Sequence, residues 1–464
     1  MNKYVIIIFG ASGDLVRRKL LPALVSLIKK HDVTQFCIVG AAFDKTTSKE
    51  ILEQSKPFMH DPQEELWQRL VERFFYHRLD FKKKEDYHSL KEYIDACMQQ
   101  CGLNGANKLI YFATASNFFC DITRYVAQTG IAERIERTET VWTRLVYEKP
   151  FGYDLASAHQ INSCIAEFFN EDQIYRIDHY LTKELVGNIA LVRFTNLVFE
   201  PLWNNRYIDN VQIILSEQET IGNRGQYYDH FGAISDVMQN HMLELLALIG
   251  MEAPQALSGN YVRDERAKVL EKVKVVDAFY GQYDTYKKEA FVGKKSKTET
   301  FAAAYLRIEN ERWAGVPFYL KTGKCLSKKE TMIYVKFKSV DCLLATCPID
   351  ANILTIEISP KAGFLLRLNA KKPGEANEVI PVTMEFCHSC IFGNRDEQAY
   401  ETLLEGVIKG EQSVSVRFDE IEYAWRVIDI LKQQERPVYT YPCGSDGPQE
   451  IEQFNKKHGI RWLT

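Results

Sequence analysis

The stretch YVIIIFGASGDL, residues 4–15, decides the fold of the first part of the chain. Its first six residues form an apolar run that is typical of a strand buried on both faces. A turn that contains two glycines follows at once, and a segment of helical periodicity covers 15–29. A strand that turns through glycines into a helix predicts the first unit of a parallel βαβ arrangement.

The same alternation continues outward from this stretch. Short apolar runs at 36–40, 108–113 and 142–147 predict three more strands, and the helical pattern at 85–99 lies between two of them. Strands that alternate with helices favour a parallel sheet. The first part of the chain, residues 1–177, is therefore predicted to be a Rossmann-like dinucleotide-binding domain of the α/β class.

Beyond about residue 177 the pattern changes. Helical stretches cover 180–195 and 231–250, and helices are predicted again at 396–408 and 417–433, before an irregular tail. Between them lie strand-like runs with few helices, which favour an antiparallel sheet. These runs are 210–216, 300–308, 316–321, 331–338, 352–358, 363–369 and 379–386. Residues 178–464 are therefore predicted to be a larger α+β domain with packed helices.

Composition excludes several classes of protein. The 464 residues carry 58 basic and 62 acidic side chains, a net charge of −4, which gives no basic field for nucleic acid or a membrane surface. No apolar stretch is long enough to span a bilayer. The eleven cysteines are scattered, which favours reduced thiols in a cytoplasmic protein over a disulfide framework. The lone CxxC, at Cys387 and Cys390, lacks a partner pair of suitable spacing, so we predict no metal site.

The turn after the first strand has the residues that a dinucleotide requires. Glycines let the backbone approach a pyrophosphate, whose charge the helix start then holds. The candidate ligand-binding residues are Gly10, Ala11, Ser12, Gly13, Asp14 and Leu15. The end of the second strand offers both an acid, Asp44, and a base, Lys45. The residues therefore leave the choice between NAD and NADP open.

A cluster of donors lies in RIDHYLTKE, residues 176–184. If a helix begins near Tyr180, His179 lies at its positive end and Lys183 follows one turn later on the same face. His179, Tyr180 and Lys183 then form a site for a phosphate monoester. The alternative is a solvated helix start.

A candidate general base lies in NRGQYYDHFGAISDVMQNHMLELL, residues 223–246. His241 is embedded in the apolar face of a predicted helix that also carries Asp236. A histidine oriented by a buried carboxylate acts as a general base near neutral pH, and Asp178 is a candidate for that carboxylate. The alternative is an ordinary core histidine.

Two lysines lie at predicted strand ends, where α/β sheets bind their ligands. Lys149 belongs to EKPFG, residues 148–152, and Lys324 ends VPFYLKTGK, residues 316–324. The alternative is an ordinary surface position, which is the more common one for a lysine taken singly.

These stretches, in this order, resemble the glucose-6-phosphate dehydrogenase family. The matching text is GASGDL, EKPFG, DQIYRIDHYLTKE, RGQYYDHFGAISDVMQNH and VPFYLKTGK, followed by YETLLEGVIKGEQ and AWRVID. The resemblance covers nearly the whole chain. It implies oxidation of D-glucose 6-phosphate to the 1,5-lactone with NADP or NAD and without a metal. It also implies a second domain that binds substrate and forms a homodimer or homotetramer.

The resemblance also implies roles for individual residues. His241 corresponds to the general base and Asp178 to the carboxylate that orients it. His179, Tyr180 and Lys183 correspond to the phosphate site. The residues that hold sugar hydroxyls are Lys149, Glu217, Asp236 and Lys324. Lys149 and Lys45 join residues 10–15 in binding the cofactor.

The chain departs from the family pattern at several positions. Alanine is usual at Val16, arginine at Phe43 in NADP-using members, prolines in the 111–116 loop, glutamine at Ser359, and arginine at Asp446 in animal members. With Lys45 as the only nearby cation, dual or NAD-leaning specificity is a hypothesis. Asp446 predicts that a second, structural NADP is absent. Two alternatives remain: a dehydrogenase of a related sugar 6-phosphate, and a non-catalytic nucleotide-binding homologue.

Overall fold

The structure is a computed structural model that describes residues 3–59, 63–135, 141–181, 183–340, 352–374, 378–392, 399–413 and 415–463. The chain divides into two compact units. The first unit contains residues 1–182, 258–260 and 396–421, and the second contains 183–257, 261–395 and 422–464. The predicted domains, 1–177 and 178–464, are each one contiguous segment, so the first does not include the two later segments of the first unit. These domain limits remain a prediction.

The described residues form strands that are numbered here in chain order. They are β1 (Tyr4–Phe9), β2 (Phe36–Ala42), β3 (Phe74–Arg78), β4 (Asn107–Phe112), β5 (Thr143–Tyr147), β6 (Ile174–Ile177), β7 (Ile208–Ser216), β8 (Val273–Tyr283), β9 (Phe301–Ile308), β10 (Pro317–Gly323), β11 (Glu330–Phe337), β12 (Ile353–Ser359), β13 (Gly363–Lys371), β14 (Val379–Cys387), β15 (Ser415–Val416) and β16 (Val438–Tyr441).

The helices are numbered in the same way. They are α1 (Leu21–Lys30), α2 (Ser48–Ser55), α3 (Glu64–Arg73), α4 (Lys84–Gln100), α5 (Phe119–Gln128), α6 (Leu155–Phe168), α7 (Glu184–Thr195), α8 (Gly225–Ala233), α9 (Leu243–Gly250), α10 (Gly259–Lys272), α11 (His388–Phe392), α12 (Ala399–Lys409), α13 (Phe418–Gln433) and α14 (Ile451–His458). Two π-helical segments, Val16–Leu20 and Ile234–Met242, lead into α1 and α9.

The first unit is built on a seven-stranded sheet of order β15-β6-β5-β4-β1-β2-β3. All its pairs are parallel except the one between β15 and β6. This confirms the predicted parallel sheet, whose order is that of a doubly wound nucleotide-binding fold. Because the strands are parallel, the carboxyl ends of β1, β2, β4, β5 and β6 lie at one edge. β15 was not expected, because it lies far along the sequence from the other strands of this sheet.

Apolar side chains close the first unit. β2 is buried at every position, and β1 at every position after Tyr4. The core on one face of the sheet joins these strands to α1 and, from much later in the chain, to Leu403, Leu404 and Val407 of α12. The uninterrupted apolar runs of the sequence follow from burial on both faces.

The second unit is built on a nine-stranded sheet of order β14-β13-β12-β11-β7-β10-β9-β8-β16. Its pairs are antiparallel except for β7 with β10 and β8 with β16. The predicted, mainly antiparallel sheet is therefore confirmed. The parallel pair of β7 and β10 matters for function, because it brings the residues after both strands to the same end.

Three elements differ from expectation in detail. The helix expected from about Tyr180 begins at Glu184. The helical segment expected over 231–250 is helical after a break at Gly232, as the end of α8, a π-helical segment and α9. The irregular stretch expected at 443–448 lies between two elements that were not predicted, β16 and α14.

The cysteines also differ from expectation. Disulfides join Cys325 to Cys443 and Cys387 to Cys390, whereas reduced thiols were expected. Spacing along the sequence did not indicate the first pair, whose members are 118 residues apart. Two further cysteines, Cys342 and Cys347, lie outside the described residues. Within the described ranges, none of the helices combines the length and the apolar character needed to cross a membrane.

Candidate active site

The turn after β1 has a geometry that only glycine allows. Gly10 has φ +85°, and a Cβ on it would lie 2.4 Å from the Ala113 carbonyl oxygen. The Gly10 amide donates to the Ala41 carbonyl over 2.8 Å, and the Gly13 amide donates to the Gly10 carbonyl over 2.9 Å. The turn therefore packs directly against the ends of neighbouring strands, and Ser12, Asp14 and Leu15 lead from it into the helix.

A buried hydroxyl lies beside this turn. The Oγ1 of Thr114 is fully buried and finds no hydrogen-bond partner among the described residues. Thr114 belongs to the 111–116 loop, and its methyl group approaches to 3.2 Å the point where a Gly10 Cβ would stand. Buried polar groups normally have a partner. The glycine cradle and this hydroxyl together fit a polar ligand such as a dinucleotide.

The end of β2 carries more charge than the sequence indicated. The Ser12 hydroxyl donates to the Asp44 carboxylate, while Phe43 is 61% exposed and Lys45 is exposed. Arg78, at the end of β3, donates from Nε to the Phe43 carbonyl over 3.1 Å, and its Cζ lies 5.8 Å from the centre of the Phe43 ring.

The expectation that Lys45 is the only nearby cation is therefore wrong. Arg78 was missed because it lies 35 residues after Phe43. A parallel pairing of β2 with β3 would have indicated it, but β3 is short and was not recognised as a strand.

The carboxyl end of β5 holds Lys149 next to a bonded carboxylate. The peptide bond between Lys149 and Pro150 is cis. The preceding residue, Glu148, accepts hydrogen bonds from the hydroxyl groups of Tyr111, over 2.5 Å, and Tyr400, over 3.2 Å. Burial raises the pKa of Glu148. These two tyrosine contacts were not predicted, and they fix the strand end from which Lys149 projects.

Asp178 follows β6 and lies in a turn. Its side chain is buried, and Oδ1 accepts a hydrogen bond from the Tyr180 amide over 2.8 Å. The Leu181 amide donates to the Asp178 carbonyl over 3.1 Å. Since the carboxylate and the carbonyl of Asp178 both accept from this short segment, a turn forms where a helix was expected.

The phosphate-site residues therefore differ in setting from the prediction. His179 and Tyr180 belong to the turn, with ring centres 5.4 Å apart. Lys183 is the residue before α7 and has extended backbone angles. The argument that placed these residues on one helical face was wrong, although the three remain candidates for binding a phosphate.

In the second unit, His241 lies on the π-helical segment and is 5% exposed. The segment begins after a sharp break at Gly232, which has φ +67°. A Cβ on Gly232 would overlap the Glu299 carboxylate, which accepts a hydrogen bond from the Ile234 amide over 3.1 Å. The position of His241 along the segment is thus fixed by Gly232, earlier on the same chain segment, and by Glu299, which lies far away in the sequence.

The charged groups predicted to hold sugar hydroxyls form a cluster in this unit. Lys324, 3% exposed, contacts the Glu217 carboxylate through Nζ and lies 3.8 Å from an Asp236 oxygen. Glu217 and Lys324 directly follow β7 and β10. Because this pair is parallel, the structure brings together two residues whose shared role was expected from the family resemblance alone.

Tyr228 joins this cluster and was missed. Its hydroxyl is buried without a hydrogen-bond partner among the described residues. The Nζ of Lys324 lies 5.7 Å from the centre of its ring. Burial, and then the charge of Asp236, raises the pKa of Tyr228. The adjacent Tyr227 and Tyr228 in a charged segment were the available signal.

Each compact unit therefore carries part of the predicted site. The first brings the glycine turn, Lys149 and Asp178 to the carboxyl edge of its sheet. The second brings Glu217, Asp236 and Lys324 together, on or beside the segment of His241. The pairing of Asp178 with His241 stays a prediction.

Two family models match the chain. Residues 7–188 match "Glucose-6-phosphate dehydrogenase, NAD binding domain", and residues 190–463 match "Glucose-6-phosphate dehydrogenase, C-terminal domain". Together they span almost all of both units.

Individual relatives agree with these models. The glucose-6-phosphate 1-dehydrogenase of Chlamydia pneumoniae is 37% identical over 489 residues, which cover 99% of this chain and 95% of the relative. That of Bacillus subtilis is 36% identical, with 99% and 98% covered.

Among solved structures, a glucose-6-phosphate dehydrogenase in complex with its substrate glucose 6-phosphate superposes with a TM-score of 0.90 at 33% identity, covering 100% of this chain and 99% of its own. The enzyme of Mycobacterium avium gives a TM-score of 0.86 at 30% identity, with the same coverage. The chain belongs to the glucose-6-phosphate dehydrogenase family.

Proposed function

We propose that the chain oxidises the C1 hydroxyl of D-glucose 6-phosphate to 6-phospho-D-glucono-1,5-lactone, the first step of the oxidative pentose phosphate pathway. The observation that carries the proposal is the cluster of buried Lys324 and Asp236 with the half-buried Glu217, beside the unsatisfied hydroxyl of Tyr228. A sugar presents several hydroxyl groups, which both donate and accept, and such a cluster supplies partners of both kinds.

His241 is the proposed general base. It takes the proton of the C1 hydroxyl while a bound nicotinamide supplies the hydride acceptor at the same carbon. Asp178 is the proposed partner that orients the imidazole and stabilises its cation. Burial of both side chains supports this assignment, because a carboxylate has a strong effect on an imidazole only where water is excluded.

His179, Tyr180 and Lys183 are proposed to bind the 6-phosphate. In support of this, His179 and Tyr180 belong to the turn in which the Tyr180 amide donates to the Asp178 carboxylate. Phosphate and reacting carbon would then be positioned by one short segment, and positioning of this kind contributes much of an enzyme's rate enhancement. Lys149, at the end of β5, is proposed to contact both sugar and cofactor.

The cofactor is proposed to be NADP, bound by residues 10–15, with NAD as a weaker substitute. Arg78 and Lys45 supply two cations near the end of β2, where the 2′-phosphate of NADP binds in doubly wound folds. The Asp44 carboxylate, which would favour the free ribose hydroxyl of NAD, already accepts from Ser12. A cytoplasmic location and a homodimer or homotetramer remain predictions.

Steady-state kinetics with glucose 6-phosphate and both cofactors test the proposal. We expect turnover with both, higher kcat/KM with NADP, and weaker activity with 2-amino or epimeric sugar 6-phosphates. A preference for one of those sugars would support the alternative suggested by Ser359 and the 111–116 loop. Binding without turnover would instead indicate a non-catalytic homologue.

The His241→Asn variant tests the mechanism within the same assay. Loss of a general base lowers kcat by about 10²- to 10⁴-fold. We expect KM to stay near that of the parent enzyme, because the imidazole acts mainly in the transition state. His230→Asn, on α8, is the matched control, and a similar loss in both variants would contradict the assignment.

A further inference from the structure

The two disulfides of the described chain differ in their relation to the proposed site. Cys325 directly follows Lys324, whereas Cys387 and Cys390 join the end of β14 to α11. The partner of Cys325 is Cys443, just after β16. One covalent bond therefore links the loop that carries Lys324 to the loop at 442–448.

Lys324 is held by groups at both ends of its backbone. Its amide donates to the Thr300 carbonyl over 2.9 Å, and its carbonyl accepts from the Tyr441 hydroxyl over 2.6 Å. Tyr441 is the last residue of β16, two residues before Cys443. On its carbonyl side, Lys324 is thus linked to the end of β16 by the Tyr441 hydrogen bond and, through the next residue, to the 442–448 loop by the disulfide.

The residue that forms the disulfide has an uncommon conformation. Cys325 has φ +56°, in the left-handed region that favours glycine. Its amide donates to the Glu219 carbonyl over 3.1 Å, and its carbonyl accepts from the Gly444 amide over 2.7 Å. A non-glycine residue keeps such a conformation only where its surroundings enforce it. The disulfide is one of the bonds that do so.

The two sulfur-bearing residues differ in access to solvent. Cys325 is buried, whereas Cys443 is exposed. Disulfides with an exposed member are the ones that exchange readily with thiols. A reductant can therefore reach the bond from the Cys443 side, away from the buried charged cluster.

We propose that Cys325 and Cys443 form a thiol–disulfide modification site that sets the position of Lys324, and through it the affinity for the sugar. A dithiol reductant attacks the Cys443 sulfur, the bond between the two cysteines breaks, and Cys325 leaves as a thiolate that takes a proton. The second thiol of the reductant then displaces Cys443, so the reductant is oxidised to a disulfide and the protein gains two thiols.

The consequence of reduction follows from the contacts of Lys324. The Tyr441 hydroxyl and the Gly444 amide still donate to the Lys324 and Cys325 carbonyls, and the Ser445 carbonyl still accepts from the Ser327 amide, so the fold persists without the disulfide. The left-handed backbone at Cys325 loses its covalent support, and the ammonium group of Lys324 becomes less fixed against Glu217 and Asp236. The expected change in affinity for the sugar rests on the proposed function, whereas the oxidation state of the cysteine pair does not.

The test compares the full-length protein in oxidised and reduced dithiothreitol buffers. Alkylation and peptide mass mapping measure the fraction of the pair that is reduced, and kinetics measure kcat and KM for glucose 6-phosphate. We expect KM to rise about fivefold to tenfold on reduction, as for a loosened hydrogen bond to a charged group, with kcat less affected. The rise should follow the reduced fraction of this pair.

Two variants complete the design. Cys443→Ser leaves Cys325 and Lys324 in place, and should show the high KM in both buffers. Cys387→Ser removes the other disulfide and should respond to the buffers as the parent does. A pair that is fully reduced without a change in KM overturns the proposal, as does a pair that stays reduced in oxidised dithiothreitol.

Failure of the proposed function would be recognised separately. If the protein turns over no glucose 6-phosphate, the thiol mapping still reports the pair. The rise in melting temperature caused by added glucose 6-phosphate then replaces KM as the measure of affinity. If this rise in melting temperature is the same for the oxidised and the reduced protein, the proposed modification site is overturned. A smaller rise for the reduced protein supports it.

Discussion

At the end of β2, the backbone of Phe43 holds Arg78 from the neighbouring strand. The guanidinium group is available to a 2′-phosphate, and a charge-assisted hydrogen bond contributes about 1.5–3 kcal/mol. We expect Arg78→Ala to raise KM for NADP by roughly tenfold to a hundredfold and to change KM for NAD little. Cofactor titrations at saturating glucose 6-phosphate measure both values.

Arg73→Ala is the matched control for this prediction. Its guanidinium group donates to the Phe36 carbonyl at the opposite end of β2, over 3.1 Å. The control should leave the ratio of the two cofactors unchanged. Equal losses with NAD and NADP in Arg78→Ala would show that Arg78 supports the fold and does not select the cofactor.

A second residue-scale prediction concerns the Tyr228 hydroxyl, which is buried without a partner among the described residues. A buried hydroxyl of this kind costs about 1–3 kcal/mol of stability. Tyr228→Phe should therefore keep or raise the melting temperature while it raises KM for glucose 6-phosphate. A merely structural tyrosine would show the reverse.

Tyr286→Phe provides the comparison, because its hydroxyl donates to Asp229 over 3.0 Å. This variant should lower the melting temperature and leave KM unchanged. If the two variants behave alike, the hydroxyl of Tyr228 has no part in binding sugar.

The residue types of the site could be inferred from the sequence, but their neighbours could not. His241, Asp178, Glu217 and Lys324 were identified by motif and resemblance. Arg78 and Tyr228 were not, because their significance depends on which strands pair and which hydroxyl lacks a partner. Such facts depend on tertiary packing, which periodicity does not encode.

At the scale of elements, the described structure explains why some predictions failed. β1 and β2 were recognised because they are apolar throughout, whereas β8 carries Lys274, Asp277 and Gln282 along its length. The helix expected from Tyr180 is prevented by Asp178, whose carboxylate takes the Tyr180 amide. Side chains that compete for backbone donors change local structure in ways that apolar periodicity does not reveal.

The break before the His241 segment gives a prediction about pH. Burial raises the pKa of Glu299 from 4.5 to about 6. The folded protein therefore retains a proton that the unfolded chain has already released in this interval. The stability contributed by the protonated carboxyl is complete below about pH 4.5 and is lost as the pH rises through 6. The loss is about 2 kcal/mol.

Glu299→Gln removes this dependence, because an amide is uncharged in both states and its oxygen can still accept from Ile234. As the pH rises from 4.5 to 7, the free energy of unfolding of the variant should increase by about 2 kcal/mol relative to that of the parent. Urea unfolding followed by tryptophan fluorescence measures the difference. Glu309→Gln, an exposed position just after β9, is the control, and an equal gain there would refute the explanation.

At the scale of the molecule, the parallel sheet follows from the alternation of strands and helices in the sequence, but the late segments that join the first unit do not. The first unit contains α12 and β15, which lie more than two hundred residues after its other elements. Their contribution is substantial: Leu403, Leu404 and Val407 complete the core behind β1. Contacts between segments so far apart in the sequence produce no periodic pattern of apolar residues, so two contiguous domains were expected.

The outer edge of the nine-stranded sheet gives the last prediction. β14 is its edge strand, and Val382, Met384 and Phe386, at alternate positions, expose apolar side chains on one face. An exposed apolar edge strand is a site for pairing with another chain. Together with the dimer or tetramer implied by the family resemblance, this points to a second copy of the chain as the partner.

Met384→Glu should therefore place a charge in the middle of the contact and shift the protein toward monomer. Light scattering after size-exclusion chromatography, across a range of protein concentrations, measures the shift. Thr383→Glu puts the same charge on the other face of β14 and should leave the assembly unchanged. A buried glutamate without a partner would cost several kcal/mol. An unchanged molecular mass in Met384→Glu would therefore show that the strand faces solvent and that the copies pair elsewhere.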